Sequence, residues 1–285
     1  MWFFYLFSYL PFWVLYLISD CLYVLAYYVI GYRKDVVMNN LRNAFPNKTE
    51  AERVLMAKKF YHNLADIFLE IAKALTMPIE DICKHYKITD TALAEKMTKE
   101  EGKYVIFTGG HLGNWDWSLL AQGFYCPIDY VYTPVTNKFF EKFTFQTRTR
   151  TGAYPVTAKD TYRAVIERKN MGRALGLGAD QATNNTEYWT MFLNQETGFL
   201  MGMETIARKH NLPVFYLHIR KIRRGFYEAN YELIAEPPYN DLPKFAILKK
   251  YKELLEADIL ADPTIWLWSH KRWKYKRPTD VPLSV

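Results

Sequence analysis

Residues 104–120, YVIFTGGHLGNWDWSLL, most constrain what this chain can fold into. Tyr104, Val105, Ile106 and Phe107 form an uncharged run of β-branched and aromatic residues, the pattern of a buried strand. Gly109 and Gly110 stop the strand and permit a tight turn. Asn114 is a good N-cap, and residues 115–122 read as the helix that follows. A buried strand that turns straight into a helix is the repeating unit of an α/β fold. His111 sits on the turn. Asp116 falls in the first helical turn, where the helix dipole favours a carboxylate. An imidazole and a carboxylate five residues apart at one junction can meet, which is how an oriented general base is built. A turn histidine beside a capping acid has the same spacing. The surroundings favour chemistry: glycines on both sides of His111 allow close approach by a ligand, and Trp115 and Trp117 can shield the pair from water.

The same strand-then-helix grammar recurs. Thr49 opens an amphipathic helix over 49–75, with Phe60, Leu64, Ile67, Phe68 and Ile71 at helical spacing. Residues 36–45 form a short helix stopped by Pro46, and a short strand is expected at 85–88. Residues 128–134 are strand-like and 137–150 helical. Residues 161–169 give another helix, and 173–179 a small-residue strand ending at Asp180. Residues 189–202 read as an irregular aromatic loop, a wall for an apolar ligand. A helix over 202–209 precedes a hairpin of 214–219 and 227–234, joined through the basic turn of Arg220, Lys221, Arg223 and Arg224. A last helix covers 245–261. The pattern predicts one α/β domain with a mixed sheet and helices on both faces.

The first 31 residues differ in kind. Their one charged side chain is Asp20, and 1–19 is long enough to span or nearly span a hydrocarbon core. No basic region precedes the apolar run and no small-residue cleavage site ends it, so it reads as an anchor rather than a signal peptide. Pro11 and the tyrosines at 5, 9, 16, 23, 27 and 28 also suit a segment lying in the interface, and a greasy helix docked on its own domain has the same composition. Arg33 and Lys34 follow and place the rest of the chain on the cytoplasmic side. The expected division is a membrane anchor at 1–31 and a catalytic domain at 32–285.

Charge and cysteine usage narrow the partners. The formal net charge of +7 favours an anionic membrane surface, an acidic carrier protein or nucleic acid. No nucleic-acid reading motif occurs, so nucleic acid is not expected as a partner. Cys21, Cys83 and Cys126 are scattered, with no disulfide framework or zinc spacing. The histidines also lack ligand spacing, and neither a metal nor a cofactor is expected. A hydrolase would need a nucleophile near His111; Ser118 is close in sequence, but no G-x-S-x-G elbow is present.

HLGNWDW resembles the H-x-x-x-x-[DE] signature of glycerolipid acyltransferases, and is most similar to the lauroyl/myristoyl acyltransferases of bacterial lipid A biosynthesis. NLRNAFP at 40–46, GADQ at 178–181 and WLWSHKRWKYKRP at 266–278 match the same family in the same order. The resemblance covers nearly the whole chain. It implies the glycerolipid-acyltransferase fold behind an N-terminal membrane helix, at the cytoplasmic face of a bacterial inner membrane. It implies transfer of a fatty acyl group from an acyl carrier protein or coenzyme A thioester to a hydroxyl of a membrane lipid such as a lipid A precursor. An amino-acid-derived lipid or a glycolipid is the alternative acceptor. In that reading His111 is the general base and Asp116 orients it, as the carboxylate does in serine-hydrolase triads. The family's arginine near the site maps to Arg150, with Arg148 as the alternative, and its acid maps to Asp180. Asn114 and Arg272 complete the substrate-side candidates. Arg150 or backbone N–H groups near 109–112 would serve a tetrahedral oxyanion. Two departures from the family pattern stand out: Asp116 replaces the more frequent Glu, and no second acid follows Gln181.

Overall fold

A computed structural model describes residues 2–134 and 136–284. Met1, where the expected anchor begins, lies outside them. The N-terminal part is helical: α1 (Trp2–Tyr9), α2 (Phe12–Val24, continued by a wider turn over Leu25–Val29), α3 (Lys34–Ala44), α4 (Glu50–Lys73) and α5 (Ile79–His85). The α/β part follows: β1 (Tyr86–Thr89), α6 (Ala92–Glu95), β2 (Val105–Gly109), α7 (Trp115–Tyr125), β3 (Ile128–Tyr132), α8 (Lys138–Arg148), β4 (Tyr154–Thr157), α9 (Thr161–Arg168) and β5 (Ala174–Gly178). The chain ends with β6 (Trp189–Phe192), β7 (Gln195–Gly198), α10 (Gly202–His210), β8 (Val214–Arg223), β9 (Phe226–Ala235), α11 (Ala246–Ala261) and β10 (Leu283–Ser284).

Seven strands form one sheet in the order β1-β9-β8-β2-β5-β3-β4, parallel throughout except for the β8–β9 hairpin. The expected mixed sheet is therefore present. Crossovers between parallel strands are right-handed almost without exception. The steps β2–α7–β3 and β3–α8–β4 move one way along the sheet, whereas β4–α9–β5 and β5–α10–β8 move back. That reversal puts α7 and α8 on one face and α9 and α10 on the other. Neighbouring β2 and β5 thus send their chains to opposite faces, and the crevice beyond their carboxyl ends is a topological switch point, the place where open α/β sheets bind ligands.

The helix boundaries follow local chemistry. Thr49 and Glu52 close a capping box, with Thr49 N donating to Glu52 Oε2 at 2.7 Å and Glu52 N to Thr49 Oγ1 at 3.3 Å. Residues 189–202, expected to be irregular, instead contain the β6–β7 hairpin. Leu193 and Asn194 turn it with φ of 49° and 62°, and β10 adds a parallel edge to it. A non-glycine pair in the left-handed region gave no Gly-based turn signal, so the hairpin was hidden in the sequence.

Pro11 separates α1 from α2, and Phe12–Val29 is long and apolar enough to cross a membrane, with a mean hydropathy of 1.6 over 18 residues. Its inner face buries Leu15 and Tyr27 beside a set of polar links. Ser19 Oγ donates to Asp66 Oδ1 at 2.7 Å, Tyr16 OH to Glu70 Oε1 at 3.1 Å, and Arg224 Nη2 bridges Asp20 and Asp66 at 2.6 and 2.7 Å. Its outer face is apolar, with Trp13, Leu17, Val29 and Ile30 exposed. The segment is bonded to α4 and the β8–β9 turn along one side and presents hydrocarbon on the other.

On the α11 face, His218 ties three elements. Its Nδ1 lies 2.9 Å from Asp258 of α11 and its Nε2 3.0 Å from Glu232 of β9. Burial lowers its proton affinity, but the hydrogen bonds and charges of the two carboxylates outweigh burial and raise it above the ordinary imidazole value. A raised folded-state pKa contributes stability below the unfolded value of ~6.5, and that contribution is lost as pH rises through the folded value. Denaturant titrations should therefore show a decline in stability over that window that is smaller in His218→Gln than in the parent; equal declines would rule this source out.

Candidate active site

The turn after β2 favours glycine at two positions. A Cβ on Gly110 would come within 2.3 Å of Leu255 Cδ1, and Gly113 has φ +51° with Tyr227 3.1 Å from where its Cβ would be. Tyr251 OH donates to Gly109 O at 3.0 Å and accepts from Ala179 N at 3.4 Å, which pins the ends of β2 and β5 together. His111 and Asp180 leave those two strand ends and meet.

Asp180 is the centre of the site. Its Oδ1 lies 2.7 Å from His111 Nδ1, and its Oδ2 accepts from His111 N at 2.8 Å and from Trp266 Nε1 at 3.1 Å. Burial alone would raise its pKa. The His111 charge, the two His111 hydrogen bonds and the Trp266 indole reverse that and hold the carboxyl well below the usual range. Burial pulls His111 down in turn, but Asp180 more than compensates and the net shift is upward. With Nδ1 committed to the carboxylate, Nε2 is the nitrogen left to face a ligand. The imidazole side chain is 25% exposed, Trp115 stands edge-on at 5.5 Å, and the Gln181 carboxamide comes within 3.5 Å of Nε2.

The partner expected for His111 was Asp116, and the geometry differs. Asp116 Oδ1 accepts from Arg148 Nε at 2.5 Å, a pair in which the carboxylate is buried and the guanidinium partly exposed. Burial weakens the Arg148 charge, and the Asp116 carboxylate restores it and raises its pKa overall. The first turn of α7 sends Asp116 toward the end of α8, whereas Asp180 arrives from the adjacent strand at Nδ1. Between the two pairs lies a cavity of about 170 Å³ at the β2–β5 switch point. Its lining includes Gly109, His111, Trp115, Arg148, Gly178 and Leu119. An imidazole oriented by a carboxylate and a guanidinium held by another face one small space. That arrangement can take a proton from a hydroxyl and stabilise an anion.

The other sequence stretches converge on Asp180. Residues 265–270 are laid against the turn by Gly113 N donating to Ile265 O at 2.9 Å and by a bridge between Leu112 and Trp266. Asn40 of α3 holds that segment from behind, donating through Nδ2 to Trp268 O at 2.9 Å and His270 O at 3.1 Å. Arg33 adds a bond to Ser269 O at 3.0 Å. NLRNAFP thus has a chemical task that its residues alone did not reveal.

The family pattern described as bacterial lipid A biosynthesis acyltransferase matches residues 1–275. The chain belongs to that family. It is 20% identical over 257 residues to the lipid A biosynthesis palmitoleoyltransferase of Escherichia coli (strain K12), across 89% of this chain and 82% of that one. The lipid A biosynthesis acyltransferase of Shigella flexneri matches to the same extent. Among solved structures, the 1-acyl-sn-glycerophosphate (LPA) acyltransferase PlsC of Thermotoga maritima aligns with a TM-score of 0.42 and 12% identity, over 88% of this chain and 97% of that chain.

In this acyltransferase the Arg150 and Asn114 side chains are engaged elsewhere. Arg150, preferred over Arg148, donates to Ala74 O; one residue pair along the chain, from 148 to 150, turns the side chain from the site to the end of α4. Asn114 is buried as the cap of α7: its Oδ1 accepts from Trp117 N, and its Nδ2 donates to Glu70 Oε2, both at 2.9 Å. Of the expected backbone oxyanion donors, His111 N is taken by Asp180 and Leu112 N by Gly110 O.

Arg272 also departs from expectation. It was expected among the substrate-side residues. Instead it is 3% exposed, donates to Gly198 O at 2.8 Å and lies 4.7 Å over the Phe199 ring. Burial pushes its pKa down to about 10. The segment is a series of turns that folds Arg272 inward. Arg272→Gln should therefore destabilise the fold by ~1–3 kcal/mol through the orphaned Gly198 carbonyl. Lys271→Gln and Lys274→Gln should stay within ~0.5 kcal/mol. Thermal unfolding of the three variants checks this, and equal midpoints would return Arg272 to the surface.

Proposed function

We propose that this acyltransferase moves a fatty acyl group from an acyl thioester, carried by acyl carrier protein or coenzyme A, to a hydroxyl of a membrane lipid. The His111–Asp180 pair, with His111 lining the switch-point cavity, carries the reading. The acceptor hydroxyl bonds to Nε2 of a neutral His111. As its oxygen attacks the thioester carbonyl, His111 takes the proton, and Asp180 fixes the tautomer and stabilises the imidazolium. The carbonyl oxygen becomes an oxyanion facing Arg148, which Asp116 holds in place. Collapse expels the thiolate, and the imidazolium returns a proton to it. The thioester is already activated, so no acyl-enzyme is needed.

The acceptor in this reading is a lipid A precursor. The family supports that choice, and an amino-acid-derived lipid or glycolipid carries the same attacking hydroxyl. Residues 1–31 seat the protein in the bacterial inner membrane, with 32–285 on the cytoplasmic side where thioesters are made. The outward apolar face of Phe12–Val29 supports this placement. A hydrolase is less well supported. Ser118 Oγ is bonded to Gln122 Nε2 at 3.0 Å, and no hydrogen bond joins it to His111 among the described residues.

Incubating the purified protein with membrane lipids and either thioester, then weighing the new lipid by mass spectrometry, tests the reaction and names the acceptor. A free fatty acid without acylated lipid would favour hydrolysis. His111→Ala should lower turnover by ~10²–10⁴-fold. The raised pKa of His111 places the acidic limb of the rate profile above the ordinary imidazole value, because activity needs the neutral form. Asp180→Asn removes the charge responsible, so its residual activity should show that limb displaced to lower pH. An unmoved limb would mean that another group is the base.

A further inference from the structure

His270 is half-buried beside the site, and its role is set by a single bond: Ala182 N donates to His270 Nε2 at 3.0 Å. Ala182 follows Asp180 and Gln181 directly. The residues facing the small gap between the tail and this turn are His111, Asp180, Gln181, Trp266, Leu267 and His270. The ring is carried on a backbone that Asn40 already clamps at His270 O, next to the Ser269 carbonyl held by Arg33. A rigid support therefore ends in one acceptor nitrogen.

We propose that His270 is a positioning residue: as a neutral acceptor for Ala182 N it fixes the turn over 180–182, and so keeps both Asp180 and Gln181 aimed at His111. The proposal rests on His111 being the base. An N–H can donate to Nε2 only while that nitrogen carries no proton. Protonation turns the acceptor into a donor facing a donor, and the turn loses its outer anchor. The surroundings keep the ring neutral. Burial is the largest influence; Asp180 draws a proton toward it, whereas Arg272, His111 and Arg33 oppose one. Two histidines flank Asp180 with opposite tuning: His111 holds a proton more tightly than usual and His270 less tightly.

The opposite tuning gives a kinetic signature. On acidification His111 protonates first and turnover falls about tenfold per pH unit. Once His270 protonates as well, the fall steepens to about a hundredfold per unit, because both rings must be neutral. His270→Gln puts a carboxamide oxygen near Nε2, an acceptor that does not titrate. This variant should keep most of the turnover and show the shallow slope throughout. His270→Leu should lower kcat by ~10²-fold through the misplaced turn, with the Michaelis constant for the thioester changed less than about twofold.

The closing experiment measures these profiles for the parent and both variants with a coenzyme A thioester. It also measures hydrogen exchange at Ala182, which needs no turnover. The amide should be protected in the parent and in His270→Gln, and should exchange freely in His270→Leu. A His270→Leu enzyme with parental kcat, or a His270→Gln enzyme that keeps the steep slope, would overturn the proposal. So would an Ala182 amide equally protected in all three. If His111→Ala retained turnover, the base assignment would fail instead, and the exchange data would still decide whether His270 holds the turn.

Discussion

A buried carboxylate must be satisfied or it will not stay ionised, and Asp180 is satisfied by groups from two distant parts of the chain. His111 supplies a ring nitrogen and a backbone N–H from the end of β2, and Trp266 an indole N–H from the tail. Each donor must be where it is for the anion to be stable. The glycines that let the turn pack, the Tyr251 hydroxyl between the strand ends and the Asn40 clamp behind the tail all follow from that requirement. The deep downward shift of the Asp180 pKa and the upward shift of His111 have one origin, the attraction between them, so folding the site and raising the basicity of the imidazole are the same event.

How much of this was legible depends on whether the information was local. The cap at Thr49, the strand over 104–107 and the helix beginning at 115 are each fixed by residues within one turn, and their expected positions hold. His111 was visible because glycines surround it. Both His111 and Asp180 could be placed at strand ends, but the pairing of β2 with β5 lies in the order of the sheet. Spacing along the chain offered Asp116 at five residues, whereas the sheet brought Asp180 from 69 residues away. Arg272 was not legible for the same reason: an arginine reads as a surface or ligand-facing cation, and only the tertiary contacts to Gly198 and Phe199 show that it turns inward.

A second buried carboxylate connects the membrane side to the site. Glu70 of α4 accepts from Tyr16 of α2, from Asn114 at the start of α7 and from Tyr227 of β9, and its backbone carbonyl accepts from the Trp117 indole. Burial raises its pKa, and these donors compensate only in part. The N-terminal segment therefore does more than present hydrocarbon. One of its tyrosines shares a carboxylate with the residue that caps the helix bearing Asp116.

Asp116 keeps a purpose although it does not hold the imidazole. Consider formal charge around the cavity: two aspartates and Arg148 sum to one negative charge while His111 is neutral. In the proposed reaction, taking a proton from a hydroxyl makes the protein side of the site neutral, and the substrate gains the negative charge that becomes the oxyanion. The protein is thus least balanced before the proton moves and most balanced afterwards. That ordering favours the charge-separated state over the resting one, which is the condition for accelerating the step rather than merely binding its reactants. Arg148 alone, without Asp116, would oppose the imidazolium, and its charge is one of the influences that lower the proton affinity of His111. Asp116 offsets part of that opposition and, in the proposed reaction, holds the guanidinium that faces the oxyanion, so there the five-residue spacing would serve electrostatic balance instead of direct contact.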